Sequence, residues 1–111
     1  MTDAPYKVIL TKAAHADLRA IHAYMAEVRS VDAADDLLNQ LDERVLALRH
    51  YPLRGSIPQE LEASGTKECR QLVHPPYRLL YSVVGDIVLI LMIADGRRDM
   101  QALLSQRLLG Q

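Results

Sequence analysis

Ile87 to Ala94 reads Ile-Val-Leu-Ile-Leu-Met-Ile-Ala, apolar at every position, and it restricts the possible folds more than any other part of the chain. It is far short of the roughly 20 residues that a membrane-crossing helix needs, so no transmembrane helix is expected. A strand without a polar side must be covered on both faces, which predicts a central place in a sheet. Asp95-Gly96 ends the run. Before it, Gly85-Asp86 forms a two-residue hairpin turn, because glycine takes the positive φ such turns require. The preceding strand is Tyr77 to Val84, with Tyr77, Leu79, Tyr81 and Val83 on one face, and Pro75-Pro76 separates it from another extended piece, Lys67 to His74.

The N-terminal half has a different period. Tyr6 to Thr11 is a short β-branched and aromatic run that reads as a first strand. Thr11 is placed to cap a helix starting at Lys12 or Ala13, in which Ala14, Leu18, Ile21, Met25 and Val28 form an apolar stripe ending near Arg29. Asp32 is the cap candidate for a second helix. Its stripe is Leu37, Leu38, Leu41, Val45 and Leu48, with Asp35 and Asp36 in the first turn and Arg49 and His50 in the last, charges that oppose the helix macrodipole. The short Ser30-Val31 connection makes the two helices an antiparallel hairpin. Tyr51-Pro52 stops the second helix, and Pro52, Gly55, Pro58 and Gly65 punctuate a long loop reaching Thr66. Leu103, Leu104, Arg107 and Leu108 lie on a final short helix that starts near Asp99, its expected N-cap.

The predicted order is β-α-α-β-β-β-α: an α+β fold with a helical hairpin packed on a small, mostly antiparallel sheet. If the first strand pairs with the central last strand, the hairpin is the crossover that lets the two run parallel. A chain of 111 residues and 12.5 kDa has room for one core, so residues 1–111 are expected to form a single domain. Thirteen Lys and Arg against fourteen Asp and Glu give a formal charge of −1, which provides no global field for nucleic acid or an anionic membrane. There is no Phe and no Trp, leaving little material for stacking single-stranded bases. A single cysteine, Cys69, cannot form an internal disulfide or anchor a structural zinc site alone. With no basic start or apolar stretch of a signal peptide at the N-terminus, a cytoplasmic location is expected.

Several segments in order resemble the ParE/RelE superfamily of bacterial type II toxins. They are Tyr6-Lys-Val-Ile-Leu-Thr-Lys-Ala-Ala14, Asp17-Leu-Arg-Ala-Ile21, Ala33-Ala34, Leu48-Arg-His-Tyr-Pro52 with Gly55, Arg70, Tyr77-Arg-Leu-Leu-Tyr81, and Asp95-Gly-Arg-Arg-Asp99 leading into Leu103-Leu104. The resemblance spans nearly the whole chain. It implies a growth-arresting toxin neutralised by a cognate antitoxin in a hetero-oligomer, with no metal, no cofactor and no membrane partner. Two unlike activities share the fold: RelE-type members cleave mRNA in the ribosome, and ParE-type members poison DNA gyrase. Fold cannot choose between them.

Metal-independent cleavage through the 2′-OH needs a base, cations around the phosphorane and an acid for the leaving oxygen. Arg78 and Arg98 match the two arginines that the RelE branch places around the phosphate, and Arg70, Tyr77, His74 or Glu68 are the further candidates for a catalytic set. Where RelE carries alternating lysines in the second strand, this chain has Cys69 and Gln71, and where RelE carries a tyrosine in the last helix, it has an apolar residue at or near Leu104. No His or Tyr follows Tyr81. Charge points the same way: seven basic and ten acidic residues give −3 over residues 1–66, and six basic and four acidic give +2 over 67–111. The favoured expectation is therefore gyrase inhibition by protein contact, ahead of mRNA cleavage on the ribosome. A third reading is a degenerate toxin acting only in a regulatory complex with its antitoxin.

Simpler structural roles are also open. Arg70, Arg78, Arg97 and Arg98 can pair with Glu68, Asp95 and Asp99 at the surface. His15 and His22, seven apart, lack the spacing of a metal pair, and Cys69 reads as a small half-buried residue. Leu103, Leu104 and Leu108, with Arg97 and Arg98, are the candidate partner-binding residues, because the last helix carries more leucines than one face must bury.

Overall fold

A computed structural model describes residues 5–62 and 69–109. The elements are β1 (Lys7–Leu10), α1 (Lys12–Val28), α2 (Val31–Ala47), α3 (Gln59–Glu62), β2 (Arg70–His74), β3 (Tyr77–Val84), β4 (Ile87–Asp95) and α4 (Met100–Leu109). The sheet order is β1-β4-β3-β2. β4 lies between β1, to which it is parallel, and β3, to which it is antiparallel. The fully apolar run is thus internal, as the sequence predicts, and β1 does pair with it, so the α1-α2 hairpin is the crossover that permits the parallel pair.

Local chemistry sets most of the boundaries. The Thr11 hydroxyl accepts from the Ala14 N–H at 3.0 Å and starts α1. α2 is capped by Ser30, whose hydroxyl accepts from the Ala33 N–H at 3.0 Å, and not by Asp32. The short connection leaves Ser30 extended just before Val31, and Asp32 falls inside the first turn, where its charge still suits the macrodipole. At the other end α2 stops at Ala47, so Arg49 and His50 lie just beyond the last turn. Gly85 has φ +62° in the β3-β4 turn. The long loop contains one turn of helix, α3, which the sequence reading missed. Lys67 and Glu68, expected at the start of β2, lie outside the described residues.

The sheet is covered on both sides. On one face α1 and α2 bring Ala14, Leu41, Val45 and Leu48 against Leu72, Tyr77, Leu79, Tyr81, Val88, Ile90 and Ile93. On the other, Leu61 of α3 and Met100 and Leu104 of α4 pack on Cys69, Leu80, Met92 and Ala94. Val28, expected in the α1 stripe, is instead exposed at the hairpin tip, leaving Tyr24 and Val31 exposed there too.

A β-bulge in β4 distributes these side chains. Leu80 pairs with Met92 but Tyr81 pairs with Ile90, so Leu91 is the extra residue. Val88 and Ile90 face the hairpin; Leu91 and Met92 both face α4; Ile93 returns to the hairpin side. Two consecutive residues on one side break the period of two and re-aim the strand end.

Candidate functional site

The candidate site begins at Arg78 on the α4 side of β3, where every nitrogen of the guanidinium has a partner. Nε donates to Gln71 Oε1 on neighbouring β2 at 2.7 Å. The two terminal nitrogens donate to the two Glu60 oxygens, each at 2.8 Å, a bidentate pair with planar groups matched edge to edge. The Arg78 and Glu60 side chains keep only 14% and 23% of their surface exposed. The hydrogen bond from Arg78 holds the Glu60 carboxyl below its ordinary value, and Glu60 in turn raises the guanidinium's. Glu60 is delivered by α3, which the buried Leu61 fastens to the sheet.

Gly96 fixes the Arg78 stem from behind. A Cβ there would lie 2.8 Å from Arg78 Cδ and 3.3 Å from the Pro76 carbonyl, and the Gly96 N–H already donates to that carbonyl at 2.7 Å. Past Gly96 the turn carries Arg97 and Arg98. Arg97 donates to both Asp95 oxygens, at 3.0 and 2.6 Å, which holds the Asp95 carboxyl down at about 2. Arg98 is exposed, with no side-chain ion pair among the described residues. Asp99 caps α4 as expected, accepting from the Ala102 N–H at 3.1 Å.

The other candidate catalytic residues sit across the sheet. Tyr77 is buried beneath the helical hairpin, its phenol pushed up chiefly by desolvation. His74 Nε2 is 2.9 Å from Gln40 Oε1 of α2. Arg70, opposite Tyr81 in the β2-β3 register, donates to the carbonyls of Leu53 and Gly55 at 3.3 and 2.8 Å and to no carboxylate among the described residues. The sheet thus separates Arg78 from Arg70, His74 and Tyr77. The Glu60 carboxylate beside Arg78 is a weak base, because its oxygens are already committed. Cys69 is buried and its thiol is pushed up to about 11 by desolvation, so it stays protonated at neutral pH. Glu68, the remaining candidate, lies outside the described residues.

Of the candidate partner residues, Leu104 is 2% exposed and Leu103 packs beside it, both against this chain's own sheet. The Leu108 side chain lies outside the described residues. His22 pairs with Asp35 across the hairpin at 2.9 Å, and no group of His, Cys, Asp and Glu among the described residues could hold a metal ion.

Sequence reading missed two carboxylates. Glu60 stands in a loop where Ile57 and Leu61 are too few to set any period. Asp17, quoted only as part of a motif, accepts from the Ile93 N–H at 3.0 Å and pairs with Arg107 of α4 at 3.0 and 3.1 Å. Arg107 also donates to the Leu91 carbonyl at 2.6 Å. The signal for Asp17 was its place on the inner side of an amphipathic helix, where an acid needs a partner.

Solved structures share this fold. The chromosomal ParDE toxin-antitoxin system from P. aeruginosa aligns with a TM-score of 0.69 at 22% identity, covering 84% of this chain and 98% of that one. The RelBE2 toxin-antitoxin complex from Mycobacterium tuberculosis gives 0.59 at 24% identity, covering 82% and 98%. A mutant of E. coli RelE in the free state gives 0.58 at 13% identity, covering 88% and 90%. No curated protein sequence matches. The family model for the ParE toxin of the type II toxin-antitoxin system, parDE, matches residues 8–100, and the chain belongs to that family, as a type II toxin of the ParE/RelE superfamily.

Proposed function

We propose that this toxin inhibits DNA gyrase by protein contact and is neutralised by a cognate antitoxin. The observation that carries the reading is the closed state of Arg78. A phosphate clamp needs a guanidinium free to fork onto phosphate oxygens, and here Glu60 and Gln71 take every nitrogen of Arg78. Recruiting Arg78 to RNA requires breaking a largely buried bidentate pair and leaving the Glu60 carboxylate beside the incoming phosphate. No unengaged acid or base stands next to it among the described residues. Membership of the ParE toxin family supports the same reading, and the ParDE and RelBE2 structures, both toxin-antitoxin systems, support an antitoxin partner.

Purified toxin is added to gyrase supercoiling reactions and, in parallel, to ribosomes programmed with a defined mRNA. Loss of supercoiling with intact mRNA is the expected result. Cut mRNA with normal supercoiling refutes the proposal in favour of the ribosome-dependent nuclease. Activity in neither assay refutes it in favour of a regulatory role with the antitoxin alone.

A further inference from the structure

Between Glu43 and Glu60 the chain carries Arg44, Arg49, His50 and Arg54 and no acid, although its net charge is −1. The fold gathers much of this segment onto one surface at the C-terminal end of α2. Arg49, His50, Tyr51, Leu53 and Arg54 are all exposed, Tyr51 at 69% and Leu53 at 61%. The Arg54 N–H donates to the Tyr51 carbonyl at 3.2 Å, which closes the loop into a turn. Arg70 enters from β2, held by the Leu53 and Gly55 carbonyls. Arg54 and Arg70 both act electrostatically on the Tyr81 phenol, lowering its pKa against the larger effect of burial, so the two cations share one neighbourhood.

The loop is fastened to the sheet. Ser56 and Gln71 exchange backbone hydrogen bonds at 3.1 and 2.7 Å, and the Gly55 N–H donates to the Tyr81 hydroxyl at 2.9 Å. Among the described residues Arg49, Arg54 and Arg70 have no carboxylate partner. The α2 macrodipole accounts for cations immediately after its last turn. It does not account for Arg54 and Arg70, nor for a large exposed aromatic and a large exposed leucine between them.

We propose that this surface, formed by Arg49, Tyr51, Leu53, Arg54 and Arg70, docks an acidic protein segment that carries apolar side chains. Its carboxylates meet the Arg70 guanidinium, held in place by the Leu53 and Gly55 carbonyls, together with the exposed Arg49 and Arg54, and Tyr51 and Leu53 supply apolar contact beside them, Arg and Tyr being enriched at binding hot spots. RNA fits less well. A single exposed tyrosine offers no row for stacking successive bases, and a chain of net charge −1 does not steer a polyanion from a distance.

The test is an amide-resolved NMR titration of the full chain with a synthetic peptide of Glu-Glu-Leu-Glu repeats, beside the same peptide with Gln for Glu and an oligouridylate. Shifts confined to residues 49–56 and 70–71 are expected with the acidic peptide, weakening as salt rises from about 0.02 to 0.3 M. The R49E/R54E variant changes exposed side chains only, and its spectrum reports whether it remains folded. It should bind at least about tenfold more weakly, or about 1.4 kcal/mol; the neutral R49Q/R54Q variant should lie between, and K12E on α1 should bind as the parent does. Equal binding of the Gln peptide, shifts elsewhere, no binding at all, or tighter binding of oligouridylate at these residues each overturns the proposal.

Discussion

Removing the Asp17 carboxylate should loosen α4 and the end of β4 together. β1 stops at Leu10, opposite Ile90, so the outer edge of β4 beyond that point has no strand to bond with. Asp17 of α1 takes its place by accepting from the Ile93 N–H, and Arg107 covers the Leu91 carbonyl at the bulge. The two side chains then pair with each other and are about four-fifths buried, at 19% and 21% exposure. In Asp17→Ala, Ile93, itself 2% exposed, keeps a buried N–H with no acceptor, which costs about 1–3 kcal/mol. Arg107 loses its carboxylate, and breaking a buried pair from one side costs about 3–5 kcal/mol. Residual exposure and the partners Arg107 keeps, the Leu91 carbonyl among them, reduce the second figure. The combined loss is set at about 3 kcal/mol, or about 10–20 °C in Tm for a domain of this size.

Asp17→Asn separates the two contributions. The amide oxygen can still serve Ile93 while the charge is gone, so the loss should fall to about half. Urea unfolding followed by circular dichroism measures both, and hydrogen exchange at the Ile93 amide locates them: fast in Asp17→Ala, protected in Asp17→Asn. An Asp17→Ala variant within about 0.5 kcal/mol of the parent, the usual range for a surface change, would refute the edge-capping reasoning. So would an Ile93 amide that stays protected in it.

Other expectations concern the remaining carboxylates and the loop. The Asp95 carboxyl, at about 2 against an ordinary 3.8, should rise in Arg97→Ala by carbon-detected NMR yet stay below the ordinary value, because the backbone N–H of residue 97 still donates to it at 2.9 Å. Because its folded value is depressed, its contribution to stability is present above the ordinary value and is lost as pH falls towards 2. Glu60 behaves with the same sign, and Arg78→Met should raise its titration midpoint. Gly55→Ala should be among the costliest single changes, since its Cβ would stand 2.5 Å from the Gln71 carbonyl oxygen and 2.6 Å from the Tyr81 hydroxyl; a cost of about 3 kcal/mol, the upper end for overpacking, is expected in thermal unfolding. Leu104→Glu should destabilise the free toxin by a similar amount, because a charge would enter the α4 core. A loss of antitoxin binding in that variant therefore reports on folding first.

Where turn chemistry and strong periods coincide, the sequence is enough. β3 and its turn into β4 are legible because Gly85 must have positive φ and the flanking runs are long. The central place of β4 follows from eight apolar positions and nothing else. The bulge at Leu91 is not legible, since an all-apolar strand has no alternation whose break could be seen. The choice of Ser30 over Asp32 as cap turns on where the chain leaves α1, and both residue types cap well. For the site, sequence order picks out Arg78 by its neighbours in β3 but cannot supply its partner. Glu60 is 18 positions away, in a loop whose route depends on the Ser56-Gln71 bridge and on Leu61 finding the second core.

The charge balance takes on a different meaning once the pairs are known. A sum of −1 suggests a surface with no preference for anions, but it averages two populations of arginine. Arg78, Arg97 and Arg107 are held by Glu60, Asp95 and Asp17, and two of those pairs also fasten α3 and α4 to the sheet. Arg49, Arg54, Arg70 and Arg98 have no carboxylate partner among the described residues, and Arg54 and Arg70 lie together by the loop that Ser56 bridges to β2. Of the two arginines a nuclease would need, Arg78 is therefore spent on structure and Arg98 stays exposed beyond β4, while Arg49 and Arg54 flank an exposed tyrosine and leucine. Such a distribution suits a protein that grips another protein better than one that holds a phosphate for cleavage, because a hot spot needs apolar area beside its cations and a scissile phosphate needs an unengaged guanidinium and a base.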